Sequence, residues 1–382
     1  IEVNANFTNS NMLEAHATVP STFRLSGIWQ NDGVITEGQS TVFLDGANQS
    51  VLGTNPSTFF NLNLEGTAPV IKTLGQSITV NGQLLLNDAV LDVNDFNITL
   101  TRQDIPITAS GGFIQTNYAG AVQLSAQSFL NGAYLIPFGF DPANPTKRTL
   151  AFQMPSAGNY FAALVGEDPG NQSMPSSALQ DSICRINDLY FWKIQTDQNI
   201  DVGLETDPAE DVFTRVSKWD GAIWREMPHS TLSPPVGFIH KSISVNSGGT
   251  GYYNLNSEAP FVDIEPDFEA FRGIKRDINV DAYVPVGSDL VWTPSEQLTC
   301  GDCIPVTFLS KRSTNLRLTI SNDQCQVEDE LRITVIDEPD VFVQNAFTPN
   351  NDGLNELFLP ILADYETFVT LRIFSRWGEK LY

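Results

Sequence analysis

Residues 25–101 repeat a short apolar strand pattern every 20 to 22 residues. The run 42–46 (VFLDG) recurs 20 residues later at 62–66 (LNLEG), and again, less closely, a further 22 residues on at 84–88 (LLLND). A second short apolar run follows each copy, at 50–52, 69–71 and 90–93. Repeats of this length built from short strands are typical of a β-solenoid, whose stacked coils share one continuous core. A meandering β-sandwich with coincidental spacing is the alternative, and the Gly, Asn and Asp residues between the runs favour solenoid corners.

The rest of the chain also reads as short strands, so the sequence predicts an all-β protein of several domains. We expect a parallel β-helix-like solenoid at residues 1–111, an antiparallel β-sandwich at 112–247 and a smaller sandwich at 258–338. The Gly- and Asn-rich stretch 244–257 (SVNSGGTGYYNLNS) is the predicted linker. In the smaller sandwich, regular alternation places Leu316, Leu318 and Ile320 on one buried face. Residues 339–382 form a separate strand–loop–strand tail.

Charge excludes two classes of partner. The chain has 21 Lys plus Arg against 45 Asp plus Glu, a formal net charge of -24. Nucleic acids are bound largely through their phosphates, and an anionic membrane surface also attracts cations, so neither is an expected partner. No run approaches the roughly 18 apolar residues of a membrane-spanning helix, so we expect no direct membrane insertion.

The residues needed for most enzyme chemistry are scarce. Only three histidines occur, and GxSxG, HExxH and GxxxxGK[ST] motifs are absent. We therefore predict no catalytic residues, no cofactor and no metal site. The run 350–356 (NNDGLNE) resembles part of a calcium loop, but Thr348 and Leu359 stand where such a loop needs acidic residues. An Asx-rich turn that bonds its own backbone explains the run equally well.

Two further residue types have structural and functional interpretations. The Cys300–Cys303 pair lacks the second CxxC of a zinc ribbon and the helix of a thioredoxin-like site. A structural disulfide between these two cysteines, or buried thiols, is the preferred interpretation. The six tryptophans could line a carbohydrate platform, although core packing explains most of them.

The tail carries two motifs at a family-specific separation. Residues 343–355 read VQNAFTPNNDGLN, and 371–378 read LRIFSRWG. Together they resemble the type B C-terminal sorting domain of the Bacteroidota type 9 secretion system, also called the gliding-motility-associated C-terminal domain. Gln344, Glu356 and Ser375 depart from its pattern. Family domains continue for roughly another 40 residues, so the resemblance predicts an incomplete sorting domain at 339–382. The implied sorting and partner-binding residues are Asn345, Phe347, Pro349, Asn350, Asp352, Gly353, Asn355, Arg372, Phe374, Arg376, Trp377 and Gly378.

Two other segments fit the same family context. The pattern W-T-P-S…L-T-C-x-x-C…S-N-D-x-C within 258–338 is similar to the PKD-like or immunoglobulin-like modules that commonly precede this signal. Asp181-Ser182-Ile183 resembles the Bacteroidota O-glycosylation motif, which makes Ser182 a candidate glycosylation site. The solenoid coils resemble the stalk regions of large secreted adhesins of the same group.

The resemblance implies a function and a location. We expect a non-enzymatic, adhesin-like structural protein that is exported by the type 9 translocon. It would be held at the extracellular surface by an outer-membrane β-barrel protein of the PorP/SprF or PorV kind, and would contact a surface glycan or protein ligand. The alternative is a secreted carbohydrate-binding or carbohydrate-active protein that uses a solenoid or sandwich face. Lyase chemistry usually requires Lys or Arg, and residues 25–101 contain only Lys72 as a cation.

Overall fold

A computed structural model describes residues 1–102, 104–125, 133–143, 147–153, 158–206, 213–228, 230–232, 239–322, 325–337, 341–342, 346–354, 356–358, 361–362 and 370–381. The chain divides into two compact units, residues 1–259 and 260–382. The described residues contain no α-helix, and their one helical element is the 3-10 turn Pro169–Gln172. None of them belongs to a helix long and apolar enough to cross a membrane. The all-β prediction is confirmed.

The strands are short and follow one another closely. Those of the coil region are β1 (Glu2–Val3), β2 (Phe7–Asn9), β3 (Met12–Glu14), β4 (Ser21–Leu25), β5 (Trp29–Asn31), β6 (Val34–Thr36), β7 (Ser40–Leu44), β8 (Gln49–Leu52), β9 (Ser57–Phe59), β10 (Asn61–Leu74), β11 (Ile78–Val80), β12 (Leu84–Asp92), β13 (Asn97–Leu100), β14 (Thr108–Ser110), β15 (Phe113–Gln115) and β16 (Ala121–Ser125). The first unit continues with β17 (Ala133–Gly139), β18 (Arg148–Gln153), β19 (Asn159–Val165), β20 (Ile183–Ile186), β21 (Phe191–Thr196), β22 (Ile200–Thr206), β23 (Arg215–Trp219), β24 (Trp224–Glu226), β25 (Ser230–Leu232), β26 (Ile239–Val245) and β27 (Thr250–Glu258).

The coil region is a three-faced parallel β-solenoid of about six turns. One face is the ladder β1–β4–β7, continued by the first halves of β10 and β12. A second face is β2–β5–β8, continued by the second halves of β10 and β12 and by β15. The third consists of the pair β3–β6 and the ladder β9–β11–β13–β16. The predicted solenoid is confirmed.

The inward side chains stack in register from coil to coil. Leu25, Leu44, Leu64 and Leu86 are successive partners on the first face and have no exposed surface. Such a column buries apolar area that one coil cannot bury alone. At a corner, Asn9 Nδ2 donates to Asn31 Oδ1 on the next coil (2.8 Å), and Asn31 Nδ2 donates to the carbonyl of Pro56 (3.1 Å). These bonds satisfy polar groups that the stacking buries.

The spacing of the repeat matches the strand register on the first face but not on the second. Val42 pairs with Leu62, and Leu62 pairs with Leu84, as the 20- and 22-residue steps require. On the second face, Ser50 of the run 50–52 pairs with Thr73, which lies just beyond the run 69–71. The ladder between β10 and β12 shifts register between residues 65 and 70, so extra residues occupy the corner in this coil.

Both long sheets of the first unit continue past the solenoid. β17 pairs in parallel with β15 and then antiparallel with β18, after which β22, β26 and β25 extend the sheet. In the other sheet β16 pairs antiparallel with β19, followed by β21, β27, β23 and β24. One hydrophobic core contains residues from both sides of position 112, the predicted solenoid–sandwich boundary. The solenoid thus passes into the sandwich without a break in either sheet.

The predicted linker at 244–257 is wrong. β27 pairs with β20, β21 and β23, and its Tyr253 and Leu255 are buried. Its glycines and asparagines gave the segment a linker-like composition, but Asn254 is fully buried and donates from Nδ2 to the carbonyl of Asn187 at 2.8 Å. These residues form a strand because of tertiary hydrogen bonds, and such bonds cannot be read from composition.

The second unit begins with a small immunoglobulin-like sandwich. Its strands are β28 (Phe261–Ile264), β29 (Phe268–Phe271), β30 (Lys275–Ile278), β31 (Val280–Tyr283), β32 (Asp289–Thr293), β33 (Val306–Leu309), β34 (Thr314–Ser321) and β35 (Gln326–Ile336). A four-stranded sheet has the order β29–β35–β34–β32, and the pairs β28–β31 and β30–β33 complete the fold. Leu316, Leu318 and Ile320 are buried with Trp292, which confirms the predicted inward face. The tail contains the pair β36 (Val341–Phe342) and β37 (Ile361–Leu362).

Candidate functional site

The first motif of the tail forms a tight turn that bonds its own backbone. Asn350 Oδ1 accepts from the N–H of Asp352 (3.2 Å), and Asp352 Oδ1 accepts from the N–H of Leu354 (2.8 Å). Asn350 Nδ2 also donates to Asp352 Oδ2 at 2.9 Å. The bonds that its carboxylate accepts, first from the N–H of Leu354 and then from Asn350 Nδ2, lower the pKa of Asp352. The geometry is that of an Asx-rich turn.

Glu356 closes the same turn from the other side. Its Oε2 accepts from the N–H of Asn351 (2.9 Å), and its Oε1 accepts from the N–H of Gly353 (3.0 Å). These bonds lower the pKa of Glu356. Asn351 and Gly353 have φ values of 67° and 83°, a region in which Asn and Gly are the least strained residues. Glu356 departs from the family pattern in sequence, and in the structure it holds the turn closed through two backbone N–H groups.

The second motif forms a narrow hairpin. The N–H of Leu381 donates to the carbonyl of Ile373, and that of Ser375 donates to the carbonyl of Glu379, both at 2.7 Å. Gly378 has a φ of 87° and donates its N–H to the carbonyl of Ser375 at 2.9 Å. The guanidinium of Arg376 lies 5.4 Å from the centre of the Trp377 ring at the hairpin tip. The motif therefore presents a cation and an indole together.

Both turns leave large apolar side chains in solvent. The exposed fractions are 47% for Phe347, 54% for Phe374 and 84% for Trp377. Phe347 has one ring contact within its turn, edge-on to Phe358 at 5.9 Å between centroids. Leu354 and Leu381 are also more than half exposed. The exposed large apolar side chains of the tail are thus concentrated in two short segments, which makes each segment a candidate interaction surface.

The predicted tail residues fall into three groups. Asn350, Asp352 and Gly353 build the first turn, while Phe374, Arg376, Trp377 and Gly378 build the hairpin. Phe347, Pro349 and Arg372 are exposed beside these turns. Asn345 and Asn355 lie outside the described residues.

The remaining candidate positions lie elsewhere. Cys300 and Cys303 form a disulfide, the pairing favoured from sequence, and the carbonyl of Cys303 accepts from Trp292 Nε1 at 3.1 Å. Ser182 is exposed at the start of β20, where its hydroxyl donates to Glu226 Oε2 at 3.3 Å. Across the described ranges, no group of three or more His, Cys, Asp or Glu side chains is placed to hold a metal ion.

The tryptophans do not form a platform. Trp29, Trp192, Trp224 and Trp292 are at most 2% exposed and belong to hydrophobic cores. Core packing therefore accounts for four of the six, as the sequence favoured. A cleft of about 330 Å³ opens beside Trp29, between β6 and β9, and its lining includes Glu14, His16 and Glu37. His16 Nδ1 accepts from the N–H groups of Thr18 and Val19 at 3.2 and 3.1 Å, so that nitrogen closes a turn.

Comparisons with known proteins add little to this geometry. No family model and no curated protein matches the chain. Solved structures that are similar in part include a chimeric titin Z1Z2 tandem, a titin immunoglobulin tandem and the tandem immunoglobulin repeats of Dlar. The titin chimera is 10% identical, covers 36% of this chain and 90% of its own length, and has a TM-score of 0.18. The titin tandem is 11% identical, covers 37% and 90%, and has a TM-score of 0.20. The Dlar repeats are 10% identical, cover 37% and 89%, and have a TM-score of 0.18. Scores this low carry no functional argument, so the functional proposal depends on the tail itself.

Proposed function

We propose that this chain is a non-enzymatic, adhesin-like protein of the cell surface, addressed there by its tail through type 9 secretion. The tail would dock on an outer-membrane β-barrel partner and leave the first unit displayed outside the cell. The observation that carries the proposal is that each of the two motif turns exposes large aromatic side chains, Phe347 on the first and Phe374 and Trp377 on the second.

The chemistry of the turns suits recognition by another protein. Each turn satisfies its own backbone groups, so its shape is preset before any partner binds. Trp and Arg are enriched among the residues that contribute most to protein interfaces, and Arg376 and Trp377 are adjacent at the hairpin tip. The hairpin is therefore the expected anchor of the docked tail.

The test is a pull-down of the native protein from outer membranes in mild detergent, with the co-purifying proteins identified. We expect a β-barrel partner to accompany the native chain, and Trp377→Ala to reduce its recovery about tenfold or more. Val286→Ala is the matched control, because Val286 is a fully exposed apolar residue of the sandwich in the second unit. A chain that remains in the cytoplasm, or a barrel recovered equally with Trp377→Ala, would contradict the proposal.

A further inference from the structure

The outer face of the β9–β11–β13–β16 sheet carries a continuous row of polar and aromatic side chains. Thr58, Thr79, Thr99 and Gln123 are successive register partners on the parallel strands. The row crosses into the antiparallel strands through Phe161, Gln195 and Thr250, which are again successive partners. Within each strand, the residues directly before and after the row member point inward, as the buried Ile98, Val122 and Ile194 show.

A second row runs beside the first and is partly made of alanine. Asn97 pairs with Ala121, and Ala163 pairs with Lys193, whose next partner is Tyr252. The small side chains leave a hollow of about 130 Å³ between the two rows. Its lining residues are Asn97, Ala119, Ala121, Phe161, Ala162, Ala163, Lys193 and Gln195. A hollow of this size holds part of a ligand that lies across the face rather than a whole enclosed molecule.

Rigid aromatic groups border the hollow. Tyr118 stacks on Tyr252 with ring planes 5° apart, and their hydroxyls are 2.8 Å from each other. Lys193 Nζ donates to the carbonyl of Tyr118 (2.7 Å) and lies 4.6 Å from the centre of its ring. Phe161, which also lines the hollow, is half-buried. Aromatic rings with fixed positions offer apolar contact at little cost in conformational entropy.

The face differs in charge from the chain as a whole. The rows named above contain one cation, Lys193, and no carboxylate, although the chain has a net charge of -24. The neighbouring carboxylates are hydrogen-bonded: Asp95 at a corner accepts from Asn117 Nδ2 at 2.8 Å, and Asp197, directly after β21, accepts from the N–H of Asn159 at 3.0 Å. The overall charge repels polyanions, whereas amides, hydroxyls and aromatic rings suit a neutral ligand rich in hydroxyl groups.

From these observations we infer that this face binds a neutral, extended polysaccharide chain, seated at the alanine hollow. The row from Thr58 to Thr250 crosses six strand-to-strand steps of roughly 4.8 Å, about 29 Å in all. A repeating row of donors and acceptors matches the repeat of a polymer better than a single small molecule. Phe161 and Tyr118 supply apolar contact to sugar rings, while Asn97 and Gln195 supply hydrogen bonds.

The test uses the purified full-length chain and needs no membrane, so its outcome is separate from that of the docking proposal. Affinity is measured at physiological salt against neutral polysaccharides, such as β-glucans and xylans, and against polygalacturonate as the acidic probe. We expect binding to a neutral polymer, weaker binding of its short oligosaccharides, and little binding to the polyanion.

Two substitutions probe the hollow. Ala119→Trp fills it from an exposed position, and Phe161→Ala removes the ring; each is expected to weaken binding at least tenfold. Lys147→Gln is the control, because Lys147, like Lys193, donates to a backbone carbonyl (Ala109 O, 3.2 Å) but lies directly before β18, which is in the other sheet. Near-UV circular dichroism checks that each variant keeps the native fold. No binding to any neutral polymer, preferential binding of polygalacturonate, or native-like affinity in folded Ala119→Trp and Phe161→Ala would overturn the inference.

Discussion

Lys72 is a buried lysine whose charge should make the stability of the solenoid depend on pH. It has no exposed surface, and its Nζ donates to the carbonyls of Gly46 and Ala47 (3.0 Å for Ala47) and to Gln49 Oε1 (2.5 Å). Burial lowers its pKa to about 8, although nearby Asp45 and Glu65 act in the opposite direction. The lysine thus holds a coil corner together while its charged form is disfavoured by desolvation.

The sign and size of the effect follow from this pKa. Between pH 8 and 10.5 the unfolded chain holds its Lys72 proton and the folded chain has lost it, so the free energy of unfolding rises with pH. The slope is about 1.4 kcal/mol per pH unit, which gives roughly 2 kcal/mol between pH 8 and 9.5. Below pH 8 both states are protonated, and the contribution is constant.

The assay compares the native chain with Lys72→Met by urea unfolding between pH 7 and 9.5. The difference in free energy isolates Lys72, because other titrating groups change both proteins alike; the buried Tyr253, whose pKa is raised to about 12, is one example. The ¹³Cε shift of Lys72 reports its titration directly. A difference that stays flat across this range, with a Lys72 midpoint near 10.5, would refute the reasoning.

Three further substitutions test the coil stack and the tail turn. Leu64→Ala in the fully buried leucine column should lower the free energy of unfolding by about 2–5 kcal/mol in urea titrations, and a loss under 1 kcal/mol would contradict that packing. Asn31→Ala removes one acceptor of the Asn9 amide and the donor to the Pro56 carbonyl, and should cost about 1–3 kcal/mol, measured as a lower urea midpoint; an unchanged midpoint would count against the corner bonds. Gly353→Ala, at a φ of 83°, should loosen only the tail turn by about 1–2 kcal/mol. Faster amide exchange at Asn351 with unchanged unfolding of both units is the expected signature, and unchanged exchange would oppose it.

The solenoid was predictable because its signal is local and repeated. Val42, Leu62 and Leu84 occur at the spacing of one coil, and that spacing sets the first ladder directly. The run at 69–71 does not mark the second ladder, because the corner between residues 65 and 70 contains extra residues and displaces the paired strand to residues 72–74. The length of the sequence repeat alone does not show how many residues each corner of the solenoid contains.

The pairings beyond the solenoid were not predictable in the same way. β27 is a central strand, but its glycines and asparagines read as a linker, since nothing local reports that Asn254 bonds to Asn187, 67 residues away. The hollow could not be predicted from sequence for the same reason, because Ala121, Phe161 and Lys193 are brought together only by the registers of β16, β19 and β21. The tail residues were found because their motifs are contiguous, whereas the role of Glu356 required the geometry of its two backbone bonds.

Parallel coil stacking explains both the core and the proposed binding face. The registers that align Phe59, Val80 and Leu100 inside the solenoid also align Thr58, Thr79 and Thr99 outside it. An inward column gains stability from each added coil, while an outward row gains one more donor and acceptor at a fixed spacing. Such a row makes many weak contacts with a long polymer but only a few contacts with a small ligand. The affinity should therefore grow with the length of the polysaccharide. Length-dependent binding is therefore the property that would separate a displayed polysaccharide-binding scaffold from one that serves only as a spacer.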